Sequence, residues 1–397
     1  MKILSLFDGM ACGALAMQAA GIEIDKYIAY EIDKYAIQTA QHNFPFIEER
    51  GDVFKADFKE YAGFDYLIGG SPCTYWSIAQ TKNRETVASG MGWELFSQYV
   101  RALHEAKPRF FLYENNKSMS AAIRASITET FGFEPILINS ALVSAQNRQR
   151  LYWCGIRQAD GTYTKADIQQ PADRGILLKD ILETNAGTWQ EKAYTYKTRC
   201  QGAIIENTLE KHQHTMVAEP VQPLTEKEMD YMIRDHQDQR WSFCNKPGQE
   251  DNMIMEPLNV DGIKYCNDKN IANICRPFGS KAKVITENEK APTLMAAMGT
   301  GGGNGVYYAE NMKIREATKA VPIYEVKDGF ITVKGNKYPI KLVDGFYYIR
   351  KLTVRECMRL QTVPEWYEWP VSKSQAYKML GNGWTVEVIA HLLRGLK

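Results

Sequence analysis

Short apolar runs alternate with helical patterns through the first 160 residues, and this alternation limits the possible folds more than any other feature. Each run of strand length is followed by a segment whose apolar residues recur at helical spacing. The predicted strands span residues 3–7, 24–30, 65–68, 110–113 and 151–156, and the predicted helices span 11–20, 33–43, 95–106 and 123–130. Strands that alternate with helices form βαβ units. The sequence therefore predicts an α/β fold with a mainly parallel sheet and helices on both faces.

The regular alternation stops near residue 165. Up to about residue 340, turn residues, scattered charges and short β-like runs replace it, and the segment GTGGGNG (299–305) is predicted to be a loop. After residue 345 the pattern is helical again, with predicted helices over 353–361 and 374–393. We therefore expect one domain over 1–165, a smaller irregular domain over 166–344, and a return to the first domain over 345–397.

Composition excludes several classes of protein. The chain has 397 residues, of which 45% are apolar and 24% charged, so it can bury a large core and is not predicted to be disordered. The chain contains no stretch of 18 uncharged apolar residues, so no transmembrane helix is predicted. Asp8 interrupts the N-terminal apolar run too early for a signal peptide.

Cysteine usage and net charge restrict the chemistry further. The eight cysteines include no CxxC pair, which indicates reduced thiols rather than disulfides or a zinc cluster. The net charge is +1, from 48 basic against 47 acidic residues. Because a strongly basic balance is typical of nucleic-acid-binding domains and is absent here, such a partner has to be argued from local features.

A glycine-containing turn joins the first predicted strand to its helix. Gly9 and Gly13, in FDGMACG (7–13), permit a tight turn and a close approach of the backbone to a ligand. Glu31 ends the second strand, where an acid can accept hydrogen bonds from ribose hydroxyls, and Asp52 follows where it could address an adenine. A turn of this kind alone is often an ordinary connection. The acids Glu31 and Asp52, which follow the turn in this order, favour an adenosine-containing cofactor. The sequence contains no GxxxxGK[ST] motif, so a P-loop enzyme is not predicted.

Two reactive groups follow neighbouring predicted strands. Cys73 lies on the turn GGSPC (69–73), where the thiol pKa can be tuned, although most cysteines are buried and inert. Glu114 ends the strand in RFFLYENN (109–116) and could act as an acid, or it could be a helix N-terminal acid. Arg148 and Arg150 lie on one side of an extended segment and suit a phosphate or a base carbonyl, unless they form a solvated strand edge.

Eight motifs in order resemble those of the C5-cytosine DNA methyltransferase family. They are FDGMACG, Glu31, GDV (51–53), GGSPC, YEN (113–115), QNRQR (146–150), RKLTVRECMRLQTVP (350–364) and MLGNGWTVEVIAHL (379–392). The form FDGMACG is more similar to that of the animal de novo enzymes than to the bacterial FAGxGG. The resemblance covers both ends of the chain, and the insert occupies the place of the family's target recognition domain.

The resemblance implies a Rossmann-like, S-adenosylmethionine-dependent methyltransferase domain. By similarity, the cofactor-binding residues are Phe7, Gly9, Gly13, Glu31, Ile32, Asp52, Val53, Pro72, Leu95 and Asn382. The catalytic residues are Cys73, Glu114, Arg148 and Arg150. The Cys73 thiolate would add to C6 of a flipped-out cytosine, while Glu114 holds N3 and the exocyclic amine and Arg150 holds the base carbonyl. The loop 75–92 would close over the site.

The resemblance also implies double-stranded DNA as the partner of a cytoplasmic enzyme, either bacterial or viral. We expect a monomer without a metal ion or a membrane anchor. The expected DNA-binding residues are Ser77, Arg276, Thr293, Leu294, Gly301 and Gly302, of which Thr293 and Leu294 match a signature of the recognition domain. Arg148, Lys281 and Lys283 are further candidates for phosphate contacts.

The sequence departs from the family pattern at Thr74, Asn116 and Gly383, which leaves loop behaviour and sequence selectivity open. Three other hypotheses remain. An RNA cytosine methyltransferase of the same superfamily has less need of a long insert. A silent DNA-binding relative is disfavoured because Cys73, Glu114 and Arg150 are intact. A nicotinamide dehydrogenase would share the glycine turn but not the later motifs.

Overall fold

The computed structural model describes residues 1–78, 84–196, 204–221 and 323–396, and between 222 and 322 it describes five strands by their backbone. For Cys73 the description covers the backbone alone. The chain divides into two compact units: unit 1 is Met1–Val217 with Lys351–Lys397, and unit 2 is Ala218–Arg350. Five residues predicted to contact DNA lie outside the described residues, namely Arg276, Thr293, Leu294, Gly301 and Gly302.

A mixed, mainly parallel sheet forms the centre of unit 1. Its strands are β1 (Lys2–Leu6), β2 (Lys26–Tyr30), β3 (Ile47–Glu49), β4 (Tyr66–Gly69), β5 (Phe110–Asn116), β6 (Ile136–Asn139), β7 (Gln149–Arg157) and β8 (Tyr163–Lys165). The strand order is β3-β2-β1-β4-β5-β7-β6, and β8 pairs with β7. Strands β1 to β5 run parallel, whereas β7 is antiparallel to β5, β6 and β8. The predicted α/β class with a mainly parallel sheet is confirmed.

Helices cover both faces of this sheet. The helices of unit 1 are α1 (Cys12–Ala19), α2 (Lys34–Asn43), α3 (Gly90–Ala106), α4 (Ala121–Phe131), α5 (Ile205–Lys211), α6 (Val354–Leu360), α7 (Lys373–Asn382) and α8 (Val386–Gly395). One hydrophobic cluster combines buried residues of α1, α2 and α6 to α8, and a second combines those of α3 and α4. Ile3 of β1 belongs to the first cluster and Leu4 to the second, because alternate strand residues point to opposite faces.

Local sequence sets the ends of several helices. The Asp33 side chain accepts from Tyr35 N at the start of α2, and Thr353 and Glu356 form a capping box on α6. The prediction of one helix over 374–393 is wrong, because the chain leaves the helical conformation between α7 and α8. A Cβ at Gly383 would lie 3.1 Å from Cys12 Sγ, so this break lets the chain pass close to α1.

Unit 2 is described by its strands. The strand β9 (Met216–Val221) leads into it, followed by β10 (Trp241–Ser242), β11 (Ile271–Cys275), β12 (Lys281–Thr286), β13 (Val306–Glu310), β14 (Lys313–Glu316), β15 (Ile323–Lys327), β16 (Phe330–Val333), β17 (Asn336–Pro339) and β18 (Gly345–Lys351). One sheet has the order β10-β11-β12-β13-β14. In the other, β15 pairs antiparallel with β16 and β18. The two-residue turn Asp328-Gly329 has positive φ at both positions, the geometry favoured in tight hairpins.

The strand order of unit 1 also indicates where a ligand would bind. The order reverses between β1 and β4, which lie side by side while the chain proceeds outward from them in opposite directions. In open α/β sheets, ligands bind beyond the carboxyl ends of the strands at such a reversal. The turns after β1 and β4 are the segments that contain Gly9 and Cys73. None of the helices in the described part of the chain is long and apolar enough to cross a membrane.

Candidate active site

The turn after β1 adopts an unusual backbone conformation. Phe7, Gly9 and Ala11 have φ values of 59°, 62° and 60°, in the left-handed region. For a residue other than glycine this conformation costs about 1–3 kcal/mol and is concentrated at functional sites. The backbone amides of Phe7 and Asp8 both donate to Tyr30 O, at 2.8 and 3.3 Å, which fixes the turn against the end of β2.

Glu31 connects this turn to the start of α2. Its Oε2 accepts from Gly9 N at 2.9 Å, and its Oε1 accepts from Ile32 N and Asp33 N, both at 2.8 Å. The predicted ribose-binding acid therefore lies against the predicted glycine turn. Ile32 next to it is 77% exposed, so an apolar side chain is available at the same edge of the sheet.

Asp52 and Val53 follow β3 at this edge. Asp52 Oδ1 accepts from Phe54 N and begins the short helical turn Val53–Lys55, in which Val53 is buried. The structure thus places both predicted residues at the carboxyl end of the sheet, as it does the residues after β1 and β2.

Two acids that were not predicted as site residues accompany Glu31. Asp8 is 8% exposed, and its Oδ1 accepts from Ser5 Oγ and Tyr27 Oη. Within the described residues, Asp8 Oδ2 and both carboxyl oxygens of Glu49 are buried without a hydrogen-bond partner. Burial, with a smaller contribution from the charge of Glu31, raises the pKa of Asp8 to about 6. Burial first, then Asp8 and Glu31, raises the pKa of Glu49 to about 8.

Other predicted cofactor residues have packing roles or lie at the surface. A Cβ on Gly13 would lie 2.4 Å from Ile68 Cδ1, so this glycine lets α1 pack closely on the sheet. Leu95 in α3 packs against the second hydrophobic cluster. Pro72 and Asn382, the last residue of α7, are both exposed. Contact of these four residues with a cofactor stays a prediction.

The turn that contains Cys73 is anchored on β5. Ser71 Oγ lies 2.6 Å from Tyr113 Oη, and Asn115 Nδ2 donates to Ser71 O at 3.2 Å. A Cβ on Gly70 would lie 2.8 Å from both Glu114 O and Glu114 Oε2, so only glycine lets the turn approach this acid. Cys73 then begins the short helical turn Cys73–Tyr75. The backbone of Cys73 therefore follows a segment that touches Glu114.

The carboxyl group of Glu114 is held on both oxygens. Arg150 Nε lies 3.1 Å from Oε1, and Trp384 Nε1 donates to Oε2 at 2.9 Å. The side chains of Arg150 and Glu114 are only 15% and 13% exposed. Antiparallel pairing places Arg150 opposite Asn116, two residues beyond Glu114 and on the same face. A buried, oriented carboxyl group of this kind can bind a polar ring edge.

Arg148 lies in a different environment from Arg150. It is 3% exposed, and its guanidinium donates to three backbone carbonyls. Nη1 donates to Tyr196 O at 3.1 Å, both terminal nitrogens donate to Gly381 O at 3.3 Å, and Nη2 donates to Gly383 O at 2.8 Å. These bonds join the residue before β7 to Tyr196, to the last turn of α7 and to the break after it. A catalytic role for Arg148 stays a prediction.

Two buried thiols of unit 1, those of Cys12 and Cys154, are unsuited to nucleophilic attack. Cys12, Cys154 and Cys357 are buried and form no disulfide within the described residues. Burial raises the pKa of Cys12 to about 12, and it raises the pKa of Cys154 above its ordinary value. These two thiols stay protonated at neutral pH, and a thiol reacts as a nucleophile through its thiolate. Ser77, predicted to contact DNA, is partly exposed just beyond the Cys73 turn. The described part of the chain contains no acid, histidine and cysteine cluster that could hold a metal ion.

Trp384, Asp8 and Glu49 were not predicted from the sequence as residues of the candidate site. Trp384 stands in the quoted motif GNGW, and its indole N–H is a donor that usually finds a partner when buried, which could have drawn attention to it. Asp8 lies inside FDGMACG, whereas no motif contains Glu49.

A comparison with known families identifies the family of the chain. The model of the C-5 cytosine-specific DNA methylases matches residues 1–397. The chain belongs to this family. This methylase is therefore an enzyme that transfers a methyl group to C5 of cytosine. The orphan methyltransferase M.SPRI of Bacillus phage SPR is 26% identical to it over 446 aligned residues, which cover 100% of this chain and 97% of the phage protein.

Two further comparisons gave more distant or partial matches. M.Rho11sI, an orphan methyltransferase of Bacillus phage rho11s, is 29% identical over 328 residues, covering 78% of the methylase and 61% of the phage protein. The crystal structure of the S. pombe Dnmt2 methyltransferase matches with a TM-score of 0.48 and 14% identity, over 100% of this chain and 98% of that one.

Proposed function

We propose that this methylase acts on a cytosine rotated out of double-stranded DNA, through a transient bond between Cys73 Sγ and C6 of the base. One observation supports the proposal above all. Glu114 is fixed by Arg150 and Trp384 beside the turn that contains Cys73. An acid and a nucleophile on neighbouring strand ends can engage the two sides of one small ring.

The proposed role of Cys73 follows from the chemistry of cytosine. C5 of the aromatic ring is a poor nucleophile. Addition of the Cys73 thiolate to C6 forms a C–S bond, removes aromaticity and turns C5 into an enamine carbon. After C5 has gained the methyl group, loss of the C5 proton re-forms the double bond and expels the thiolate. The enzyme thereby divides one difficult substitution into easier steps.

Glu114 and Arg150 would bind the polar edge of the base. Glu114 would hold N3 and the exocyclic amine, which favours addition at C6, and Arg150 would hold the base carbonyl. Because the Arg150–Glu114 pair is largely buried, its geometry is fixed before the base arrives. Trp384 would keep Glu114 Oε2 oriented, since its indole N–H already donates to that oxygen at 2.9 Å.

The edge of the sheet after β1, β2 and β3 fits S-adenosylmethionine. The partnerless carboxyl oxygens of Asp8 and Glu49, near Glu31, favour a ligand with hydroxyl groups and positive charge, and this cofactor has both. Phe7, Gly9, Glu31, Ile32 and Asp52 would hold it, together with the further residues predicted from the sequence. When bound there, the cofactor supplies an electrophilic methyl group.

Recognition of DNA is proposed for the insert. Unit 2 spans Ala218–Arg350. All of it except its last six residues falls within the predicted recognition domain, 166–344. Base edges would be read by side chains of this segment, and the flipped base would cost a few kcal/mol in lost stacking. The predicted loop 75–92 begins in the turn Cys73–Tyr75, and its last three residues belong to α3. The part between these elements would close over the base, and Ser77 would contact the DNA.

Trapping with 5-fluorocytosine tests the covalent step. The full chain is incubated with S-adenosylmethionine and duplex DNA that contains this base, whose C5 cannot lose a proton. A covalent protein–DNA complex should form with the unaltered chain and with Cys154→Ala, which removes a thiol elsewhere in the sheet. Cys73→Ala should form none. A complex that persists in Cys73→Ala would exclude this nucleophile.

Product analysis tests the substrate. With labelled cofactor and ordinary duplex DNA, digestion should release the label as 5-methylcytosine. Label on cytosine N4 or adenine N6 would reject the mechanism. Label on RNA but not on DNA would identify an RNA methyltransferase instead, and binding to DNA without any transfer would identify a silent relative.

A further inference from the structure

A cavity outside the proposed active site lies in unit 1 at the start of α7. Its volume is about 360 Å³, within the range of pockets that bind small molecules. Four segments line it: 194–196, 214–215, 351–352 and the first turns of α7. None of the residues predicted to bind the cofactor or the cytosine lines this cavity.

Hydrogen bonds hold the walls of the cavity in place. Tyr377 Oη donates to Leu352 O at 2.9 Å, which joins α7 to the lining segment 351–352 within unit 1. Tyr194 N donates to Thr215 Oγ1 at 2.9 Å, which joins the two remaining wall segments. The cavity is therefore formed before any ligand binds, and binding there needs little reorganisation.

The charge of the lining favours an anion. Lys351 and Lys373 both line the cavity, and among its described lining residues there is no Asp or Glu. Lys373 and Ser374 are the first two residues of the ten-residue helix α7. The first turn of a helix presents backbone N–H groups and the positive end of the helix dipole. A phosphate group has the charge and the acceptor oxygens that match these donors.

The aromatic content of the lining favours a planar ring beside that anion. Tyr194, Tyr196 and Tyr377 all line the cavity. The rings of Tyr196 and Tyr377 lie 6.4 Å apart between centroids, with an interplanar angle of 35°. Aromatic side chains stack on nucleobases without regard to sequence, because every base has a π-face. A ligand that has both a phosphate and a base is a nucleotide.

We propose that this cavity binds a nucleoside monophosphate, either free or as an unpaired nucleotide of a nucleic-acid strand. A bound nucleotide would also contact a wall that is linked to the active site. Arg148 donates both to Tyr196 O in this wall and to Gly381 O, next to Asn382 at the end of α7. The buried Arg148 side chain thus connects one wall of the cavity to the end of α7, beside the predicted cofactor residue Asn382.

Calorimetric titration of the full chain tests the proposal with thymidine monophosphate, which lacks the adenosine that the cofactor site would bind. Thymidine and inorganic phosphate, titrated separately, should each bind at least about 10-fold more weakly than the monophosphate, because each lacks half of the contacts. Equal binding of inorganic phosphate alone would overturn the assignment of a nucleotide.

Substitutions locate the binding. Lys373→Glu should weaken binding of thymidine monophosphate by at least about 10-fold, since it reverses a charge in the lining. Lys34→Glu is the matched control, because Lys34 is likewise the exposed first residue of a ten-residue helix, and it should leave the affinity unchanged. Tyr194→Ala should cost about 5- to 100-fold through lost stacking. No measurable heat, or equal affinity in Lys373→Glu, would refute the proposal.

Oligonucleotides distinguish the two sources of the nucleotide. If the cavity serves a strand, a single-stranded pentathymidylate should bind more tightly than the monophosphate and should lose affinity in Lys373→Glu. If it serves a free nucleotide, the monophosphate should bind at least as tightly as the oligonucleotide. Trapping on 5-fluorocytosine does not depend on this cavity, so failure of either proposal can be told from failure of the other.

Discussion

Replacing Arg148 with methionine should destabilise unit 1, and the loss of activity should follow from that destabilisation. The guanidinium is 3% exposed and satisfies three backbone carbonyls, those of Tyr196, Gly381 and Gly383. Methionine fills much of the same volume but offers no donor. Each carbonyl left without a partner costs about 1–3 kcal/mol.

The expected loss in the free energy of unfolding is about 3–5 kcal/mol, because water that enters the site would satisfy part of the lost bonding. For a unit of this size, that corresponds to a fall in Tm of about 10 °C. Scanning calorimetry of the ligand-free chain measures it. Arg124→Met is the control, since Arg124 is 48% exposed in its ion pair with Glu134 and should change stability by less than about 0.5 kcal/mol.

A different result would restore the role predicted from the sequence. If Arg148→Met unfolds within about 2 °C of the unaltered chain but no longer transfers methyl groups at 20 °C, the guanidinium acts on the substrate. Arg148→Lys refines the comparison. A lysine has one nitrogen, which cannot reach all three carbonyls, so its stability should lie between those of the other two chains.

Three further predictions concern the site and the packing beneath it. Trp384→Phe keeps an aromatic ring but removes the donor to Glu114 Oε2, and steady-state methyl transfer should show kcat lowered about 10- to 100-fold with the KM for cofactor unchanged; an unaltered kcat would contradict a positioning role. Glu49→Gln should stabilise the ligand-free chain, and this gain in the free energy of unfolding should grow from pH 4.5 to about 8. The reason is that the raised pKa of Glu49 makes its ionisation in this range favour the unfolded state. Urea unfolding of both chains measures the difference, and a difference that does not grow with pH would contradict the prediction. Gly13→Ala places a Cβ 2.4 Å from Ile68 Cδ1 and should cost about 1–3 kcal/mol in thermal unfolding, whereas an unchanged Tm would show that α1 can shift.

The sequence predicted most of the sheet of unit 1. The five strands predicted over the first 160 residues all appear, as do the four helices between them. Ile47–Glu49 was missed because its single apolar residue cannot show a period, and the short run Ile136–Asn139 was missed as well. The break between α7 and α8 was missed because helical spacing continues across it, and only the approach to Cys12 requires it.

Part of the candidate site was predictable for a topological reason. Parallel strands bring their carboxyl ends to one edge, so Gly9, Glu31, Asp52 and Glu114 were expected together from their places after successive strands. The structure places them at that edge. The partners of Glu114 and Arg148 follow no such rule. Trp384 is 270 positions from Glu114, and Gly381 is 233 positions from Arg148, so these bonds depend on how the chain closes in three dimensions.

The C-terminal segment is therefore part of the proposed active site as well as of the hydrophobic packing. From Lys351 onward the chain belongs to unit 1. In sequence, unit 2 separates this segment from the rest of unit 1, Met1–Val217. The C-terminal segment supplies the donor to Glu114 and two carbonyls that accept from Arg148, and Tyr367 Oη donates to Met10 O in the turn after β1. A fragment that ended before residue 351 would keep all four predicted catalytic residues but would lack these contacts. Glu114 would then have one of these two partners, and Arg148 would lose two of these three carbonyls. The geometry of the proposed site therefore forms only after both ends of the chain have met.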